Sequence, residues 1–472
     1  MKRTALFLLV LTLGFSVSGC GEEEEESVPI VSATEPDQTK EAGETDQDNT
    51  ELSWKYEISK QKTEDQFTSD DGVVLALTSY EIPVMVVKAE GISGSPGNSD
   101  LQEKVPKDMQ EICDAFNARM QAFGEGFENV EELSAPAKEH YGYLDEEYRK
   151  TFPTYYETTE VTEIYETTGG LYDVQFFSSI YYGGAHGSGV YENFHFDSTS
   201  GKFVELGDLT DRKRALNEMI TNEILAEIYN KGEQDWFFDD FYETIATKTD
   251  FDVSFKADGM HVYFTEYEIA PYAYGIPEFV ISCPKLYRFL NDDGKRLLSC
   301  SIEDQILGDF YEAQDLWYWF DGGAPVDYTD QKTIHVTWQD GSEWDEYVSR
   351  LDYPGITDLN TLKTFFLTRF SEELVDRKLA EAMEEGFVFS EIDGALYVRG
   401  LGRGDDLTIG NVEYSVELNA EKTAGKVIVL IERQDFDEAK GDWALTGETD
   451  TMEFPFELGK SGAIFAEMGR VY

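Results

Sequence analysis

Residues 155–191, YYETTEVTEIYETTGGLYDVQFFSSIYYGGAHGSGVY, decide the fold class. Tyr155, Tyr156, Val161, Ile164 and Tyr165 make one aromatic and β-branched run; Tyr172, Val174, Phe176 and Phe177 make a second. Such residues suit a pleated, half-buried surface. Gly169-Gly170 and Gly183-Gly184 fall between and after these runs, where turns belong. The stretch therefore reads as consecutive strands. Soon afterwards the period changes. Leu216, Ile220, Ile224 and Ile228 recur every four residues, which predicts a helix from about Asp211 to Asn230, closed by Gly232. Strands and helices so interleaved predict an α+β fold.

Working outward, Val73 to Val87 reads as strand with Pro83 as a break. Met109, Ile112, Cys113, Phe116, Met120 and Phe123 lie at the 3-4 spacing of a buried helix face, so Cys113 is expected as a buried thiol. A loosely patterned acidic stretch follows to about residue 154. Phe251 to Cys283 reads as strands broken at Asp258-Gly259 and at Gly275.

The last third reads differently. Ile306, Phe310, Leu316, Trp317 and Phe320 mark a helix. Asp358 is a good N-cap for a second, carrying Leu359, Leu362, Phe366 and Phe370, and Leu374, Val375, Leu379 and Met383 mark a third. Strands are expected at Phe387–Phe389, Ala395–Val398, Val412–Leu418, Val427–Ile431, Met452–Phe456 and Ile464–Met468, with Asp393-Gly394 turning the first hairpin. Helices on one face of a curved antiparallel sheet are the expected layout. Trp317, Tyr318, Trp319 and Phe320, with Trp338 and Trp344 nearby, could fill the core or stack on sugars; the core use is favoured.

The beginning of the chain carries a different signal. Lys2 and Arg3 precede a short apolar run, Ala5 to Phe15; Val17-Ser18-Gly19-Cys20 follows, then Glu22 to Glu26. This resembles a bacterial lipoprotein signal peptide, which implies cleavage after residue 19 and a lipid on Cys20. A membrane-spanning helix needs about 20 apolar residues, and this run is shorter. Residues 20–52 are acidic and polar with almost nothing to bury, and are expected as a disordered tether. The 472-residue chain has a net charge of −57, which repels phosphate backbones and anionic headgroups alike. No nucleic-acid partner is expected. Membrane attachment is expected only through the lipid on Cys20, on the extracytoplasmic face. There, Cys283 and Cys300 could form a disulfide, although spacing alone does not fix the pairing.

Tyr181-Tyr182-Gly183-Gly184-Ala185-His186-Gly187, Phe194-His195-Phe196-Asp197, Leu206-Gly207-Asp208-Leu209 and Phe264-Thr265-Glu266-Tyr267-Glu268-Ile269-Ala270-Pro271-Tyr272-Ala273-Tyr274-Gly275 stand in order along the chain. Together they resemble the paired extracytoplasmic domains found in the peptidoglycan deacetylase PdaC and the lysozyme-responsive anti-sigma factor RsiV. The resemblance implies a Gram-positive-type cell-surface module over residues 53–298. It implies no deacetylase activity, because Asp70-Asp71-Gly72 lacks the following Pro and no histidine pair has metal spacing. Tyr353-Pro354-Gly355-Ile356-Thr357-Asp358-Leu359 and Ile392-Asp393-Gly394-Ala395-Leu396-Tyr397-Val398 resemble the IseA family, inhibitors of cell-wall DL-endopeptidases. That implies a cystatin-like cone, similar to nuclear transport factor two, over residues 302–472.

Gly183, Gly184, His186, Tyr267 and Tyr272 are the candidate binding residues. The glycines would serve a tight turn or a ligand lying against backbone. His186 would fix that turn or, with nearby carboxylates, transfer protons in an enzyme acting on the wall. No catalytic constellation, metal set or cofactor fingerprint is expected: the five histidines are scattered, and no Walker loop, dinucleotide motif or Gly-x-Ser-x-Gly elbow occurs. The expected function is a non-catalytic, lipid-anchored envelope protein binding a cell-wall hydrolase, a lysozyme-like protein or peptidoglycan. A small-solute-binding lipoprotein is the alternative.

Overall fold

The computed structural model describes residues 53–90, 104–337, 341–384, 388–400, 406–437 and 442–471. The signal peptide, Cys20, the tether and Trp338 lie outside the described residues. Helices and several sheets are both present, and the fold is α+β. The chain divides into two compact units. The first holds residues 53–164, 174–192 and 196–203 of the described chain; the second holds 165–173, 193–195 and 204–471, so the boundary expected near residue 300 lies inside it.

Six strands form one sheet in the order β1 (Trp54–Thr68), β2 (Val74–Ala89), β3 (Tyr155–Glu166), β4 (Leu171–Tyr181), β5 (Ser188–Asp197) and β6 (Lys202–Val204). In the first unit, α1 (Lys107–Gly124) buries Cys113, Phe116, Met120 and Phe123, the predicted stripe. Phe116 meets Phe196 edge-on at 5.2 Å, and Phe123 lies 4.8 Å from Phe176. Contrary to expectation, Pro83 does not break its strand. It lies inside β2 opposite Lys60, while the parallel partner β3 pairs only over Ala76–Tyr80. Met85 gives its N–H to Asn117 Oδ1 and its carbonyl accepts from Asn117 Nδ2, at 2.8 and 2.9 Å. Pro83, two residues earlier, shares that side of the strand, so its missing N–H faces no ladder.

The acidic stretch before residue 154 is also more ordered than its pattern suggested. It holds α2 (Val130–Tyr143) and α3 (Glu146–Arg149). Val130, Leu133, Ala137 and Tyr141 of α2 pack with Leu75, Ala76, Phe152 and Tyr155. Asn129 caps α2 by accepting from the Glu132 N–H, and Pro136 lies inside the helix.

In the second unit, α4 (Lys213–Lys231) lays Leu216, Ile220, Ile224 and Ile228 against Phe251, Val253, Val262 and Phe279. Gly232 closes the helix at φ 65°, as anticipated. α5 (Phe241–Thr247) and the three-stranded sheet β7 (Asp252–Lys256), β8 (Gly259–Tyr263), β9 (Glu278–Ile281) complete this core. α6 (Cys283–Tyr287) and α7 (Asp292–Leu298) lead to α8 (Ile302–Trp319), and Cys283 is joined to Cys300 by a disulfide with Cα atoms 6.1 Å apart.

Beyond α8, the strands do not collect in one curved sheet. β10 (Val326–Thr337), β11 (Glu343–Leu351), β12 (Phe389–Ile392) and β13 (Ala395–Val398) form one four-stranded sheet in the order β10-β11-β13-β12. β14 (Ile409–Leu418), β15 (Ala424–Asp437), β16 (Asp442–Gly459) and β17 (Gly462–Phe465) form a second. The β10–β11 hairpin was not anticipated. Its side chains are mostly exposed, and Val336, Val348 and Leu351 are its buried apolar positions, too few to print an alternation. Asp393 and Gly394 turn β12 into β13 at φ 54° and 77°, the signs a type I′ turn requires. α9 (Leu359–Phe366) and α10 (Glu372–Glu384) pack Leu362, Phe366, Leu374 and Val375 with Phe310, Phe389 and Phe465.

Candidate functional site

The glycine-rich turn has a packing explanation. Gly183 and Gly184 take φ 82° and 137°. A Cβ on Gly183 would stand 2.4 Å from the Tyr155 hydroxyl, and one on Gly187 would stand 2.8 Å from the Tyr156 hydroxyl. The Tyr181 hydroxyl donates to the Gly184 carbonyl at 3.0 Å. The glycines thus let a tight turn lie on tyrosine rings. His186 is exposed, with Nδ1 2.8 Å from the next residue's carbonyl oxygen. Tyr267 and Tyr272 belong to the other compact unit. Tyr267 holds φ 65°, unusual for a bulky residue, and its ring stacks on Tyr272 at 6.1 Å.

One buried polar set resembles a catalytic grouping. Asp173, His195 and Ser254 are 2%, 6% and 1% exposed. His195 Nδ1 lies 2.7 Å from Asp173 Oδ2, which also accepts the Phe255 N–H at 2.7 Å, while Ser254 Oγ donates to Asp173 Oδ1 at 3.2 Å. The carboxylate stands in the middle, whereas a serine nucleophile needs the histidine there. The set pins strands together out of reach of solvent. Its trace in the sequence is Asp173 amid the apolar residues of β4. Cys113 is equally inert: burial, with Asp114 adding, pushes its thiol up to about 11.

The chemically richest surface lies at the C-terminal end of α8, around a cleft of about 530 Å³. Trp319 and Phe320 turn into the core, as favoured for this aromatic run. Trp317 and Tyr318 are only half-buried, and both line the cleft with Tyr353 and Phe365. Tyr353 lies 4.9 Å from Phe365 and 5.2 Å from Trp319. Tyr318 needs Gly323 beside it, because a Cβ there would stand 1.9 Å from its ring. Three arginines converge on the same walls from distant parts of the sequence: Arg212 before α4, Arg288 after α6 and Arg470 near the end. Arg212 and Arg288 flank the Phe289 ring at 5.3 and 4.8 Å, and Arg470 lies 5.3 Å from the Tyr318 ring centroid. Arg288 pairs with Asp315, and Glu312 accepts from Arg369 Nε at 2.6 Å. Gln314 fixes the closing segment by donating to the Gly469 carbonyl and accepting the Val471 N–H.

Beneath this wall sits a charged pair. Arg369 Nη2 reaches Asp309 Oδ1 at 2.9 Å, and the Ala463 N–H donates to Asp309 Oδ2 at 2.7 Å. Burial outweighs the attraction of Arg369 and pushes the Asp309 carboxyl up to about 6. Among the described residues no cluster of three His, Cys, Asp or Glu could hold a metal, and no helix is long and apolar enough to cross a membrane.

Residues 205–283 match the family described as "Protein of unknown function (DUF3298)". This segment of the chain is the part that the family match covers. It spans α4, α5 and β7–β9, and it brings Arg212 to the cleft and carries Tyr267 and Tyr272. Two crystal structures of DUF3298 proteins are similar to the chain. That of a family member from Bacteroides fragilis is 19% identical, with a TM-score of 0.35, covering 51% of this chain and 96% of that one. That of a family protein from Pseudomonas aeruginosa is 17% identical, with a TM-score of 0.27, covering 51% and 95%. No curated protein matches the sequence.

Proposed function

We propose that the chain is a non-catalytic, lipid-anchored cell-envelope protein that holds an extracytoplasmic ligand in the cleft beside α8. The supporting observation is the character of the walls: half-buried aromatic rings and arginines, with the charges of Arg288 and Glu312 already met by protein partners. Such walls bind and orient a ligand; they offer no nucleophile seated beside a base. Cys20 would carry the lipid, and the acidic residues after it would hold the folded part off the membrane. The ligand is a cell-wall hydrolase, a lysozyme-like protein or peptidoglycan, in keeping with the PdaC/RsiV-like motifs of residues 53–298 and the IseA-like motifs of residues 302–472. The acidity of the chain would steer a basic protein towards it. A small solute is the second candidate ligand, since the cleft volume falls within the range of small-molecule sites.

The test is capture by the intact protein. Held in detergent on a support, it is exposed to purified sacculi, to lysozyme and to an envelope extract of its host, then washed at physiological salt. Retention of sacculi, lysozyme or a wall hydrolase is the expected result. Retention of none of them would contradict the proposal and leave the small solute.

A further inference from the structure

Resting on that proposal for its setting, we infer that the cleft beside α8 is a site for a glycan with uncharged pyranose rings. Trp317, Tyr318 and Tyr353 are half-buried aromatic residues that line the cavity. The apolar face of a pyranose packs on such rings while its hydroxyl edge reaches hydrogen-bonding groups. Those groups are present as Arg212, Arg288, Arg470, Asp315 and Asp321. Arginine's planar fork meets vicinal hydroxyls as donor, and carboxylates meet them as acceptor.

The charge pattern separates a neutral glycan from an anion. Three arginines line the cleft, but so do Glu312, Asp315 and Asp321, and Arg288 is already paired with Asp315. A phosphate or polyanion site would leave its cations unbalanced; here the lining carries as many carboxylates as guanidiniums. The cleft volume of about 530 Å³ suits two or three sugar rings rather than a folded protein surface.

The probe is the β-1,4-linked tetramer of N-acetylglucosamine, titrated into the intact protein and followed by calorimetry and by the fluorescence of the cleft tryptophans. Saturable binding is expected, little changed between low and high salt, because no net charge is neutralised. Trp317→Ala should weaken it about tenfold or more, and Arg212→Ala, at an exposed side chain that leaves the core intact, about threefold or more. Circular dichroism and melting of each variant separate lost binding from lost fold. The inference is overturned by no saturable binding, by binding that collapses with salt, or by folded variants that bind like the parent. Sacculi retained equally by parent and variants would overturn the glycan cleft and leave envelope binding to another surface of the protein. Tetramer bound without retention of sacculi, lysozyme or a wall hydrolase would support the cleft and sink the envelope proposal.

Discussion

Asp309 concentrates the consequences of burial in a single carboxyl. Its folded-state value near 6 lies above the 3.8 of an unperturbed aspartate. Well below pH 3.8 the group is protonated in both folded and unfolded chains, and its contribution is fully present. Between pH 4 and 6 the folded state holds the proton more tightly, so that contribution is lost as pH rises through about 6. The loss is on the order of 3 kcal/mol. Asp309→Asn cannot ionise yet can still accept the Ala463 N–H. Urea titrations at pH 4, 5, 6 and 7 should therefore show the variant gaining on the parent as pH rises; parallel profiles would refute the burial argument. Gly183 gives a second test at this scale. With φ 82° and the Tyr155 hydroxyl 2.4 Å from any Cβ, Gly183→Ala should cost about 1–3 kcal/mol in the same titration. A neutral result would mean that the turn yields freely and that the glycine serves something else.

Among the elements, the legible ones had strong local signals. The four-residue repeat of α4, the Asp358 cap of α9 and the Asp393-Gly394 turn all stand where the sequence placed them, because each is settled by neighbouring residues. α2 and the β10–β11 hairpin were missed for physical reasons. Pro136 masks a helical face, and the hairpin exposes most of its side chains. The Pro83 strand was misread because tolerance of proline depends on the absent neighbour strand, a tertiary fact. The candidate site was less legible still. The aromatic run at 317–320 was visible, but the arginines that meet it come from residues 212, 288 and 470. The disulfide belongs to this scale as well. It closes a 17-residue separation next to α8, so replacing Cys283 and Cys300 together by serine should lower stability by about 3 kcal/mol. Comparison with the parent under reducing conditions checks this: the difference should vanish once both proteins are reduced.

At the scale of the whole molecule, charge dominates. A net charge of −57 repels itself in the compact state, and salt screens that repulsion. Raising sodium chloride from about 10 to 150 mM, where the screening length falls to about 8 Å, should raise the melting temperature by a few degrees. A fall would show that the ion pairs matter more than the excess of carboxylates. The same acidity leaves the balanced, aromatic cleft as the place where a ligand can be held without a charge penalty. The most direct measurement is therefore a tryptophan-fluorescence titration of the intact protein with the uncharged β-1,4-linked tetramer of N-acetylglucosamine, run beside folded Trp317→Ala. Saturable change in the parent, lost in the variant, is the predicted result; no change in the parent, or equal binding by both, would contradict the assignment of envelope binding to this cleft.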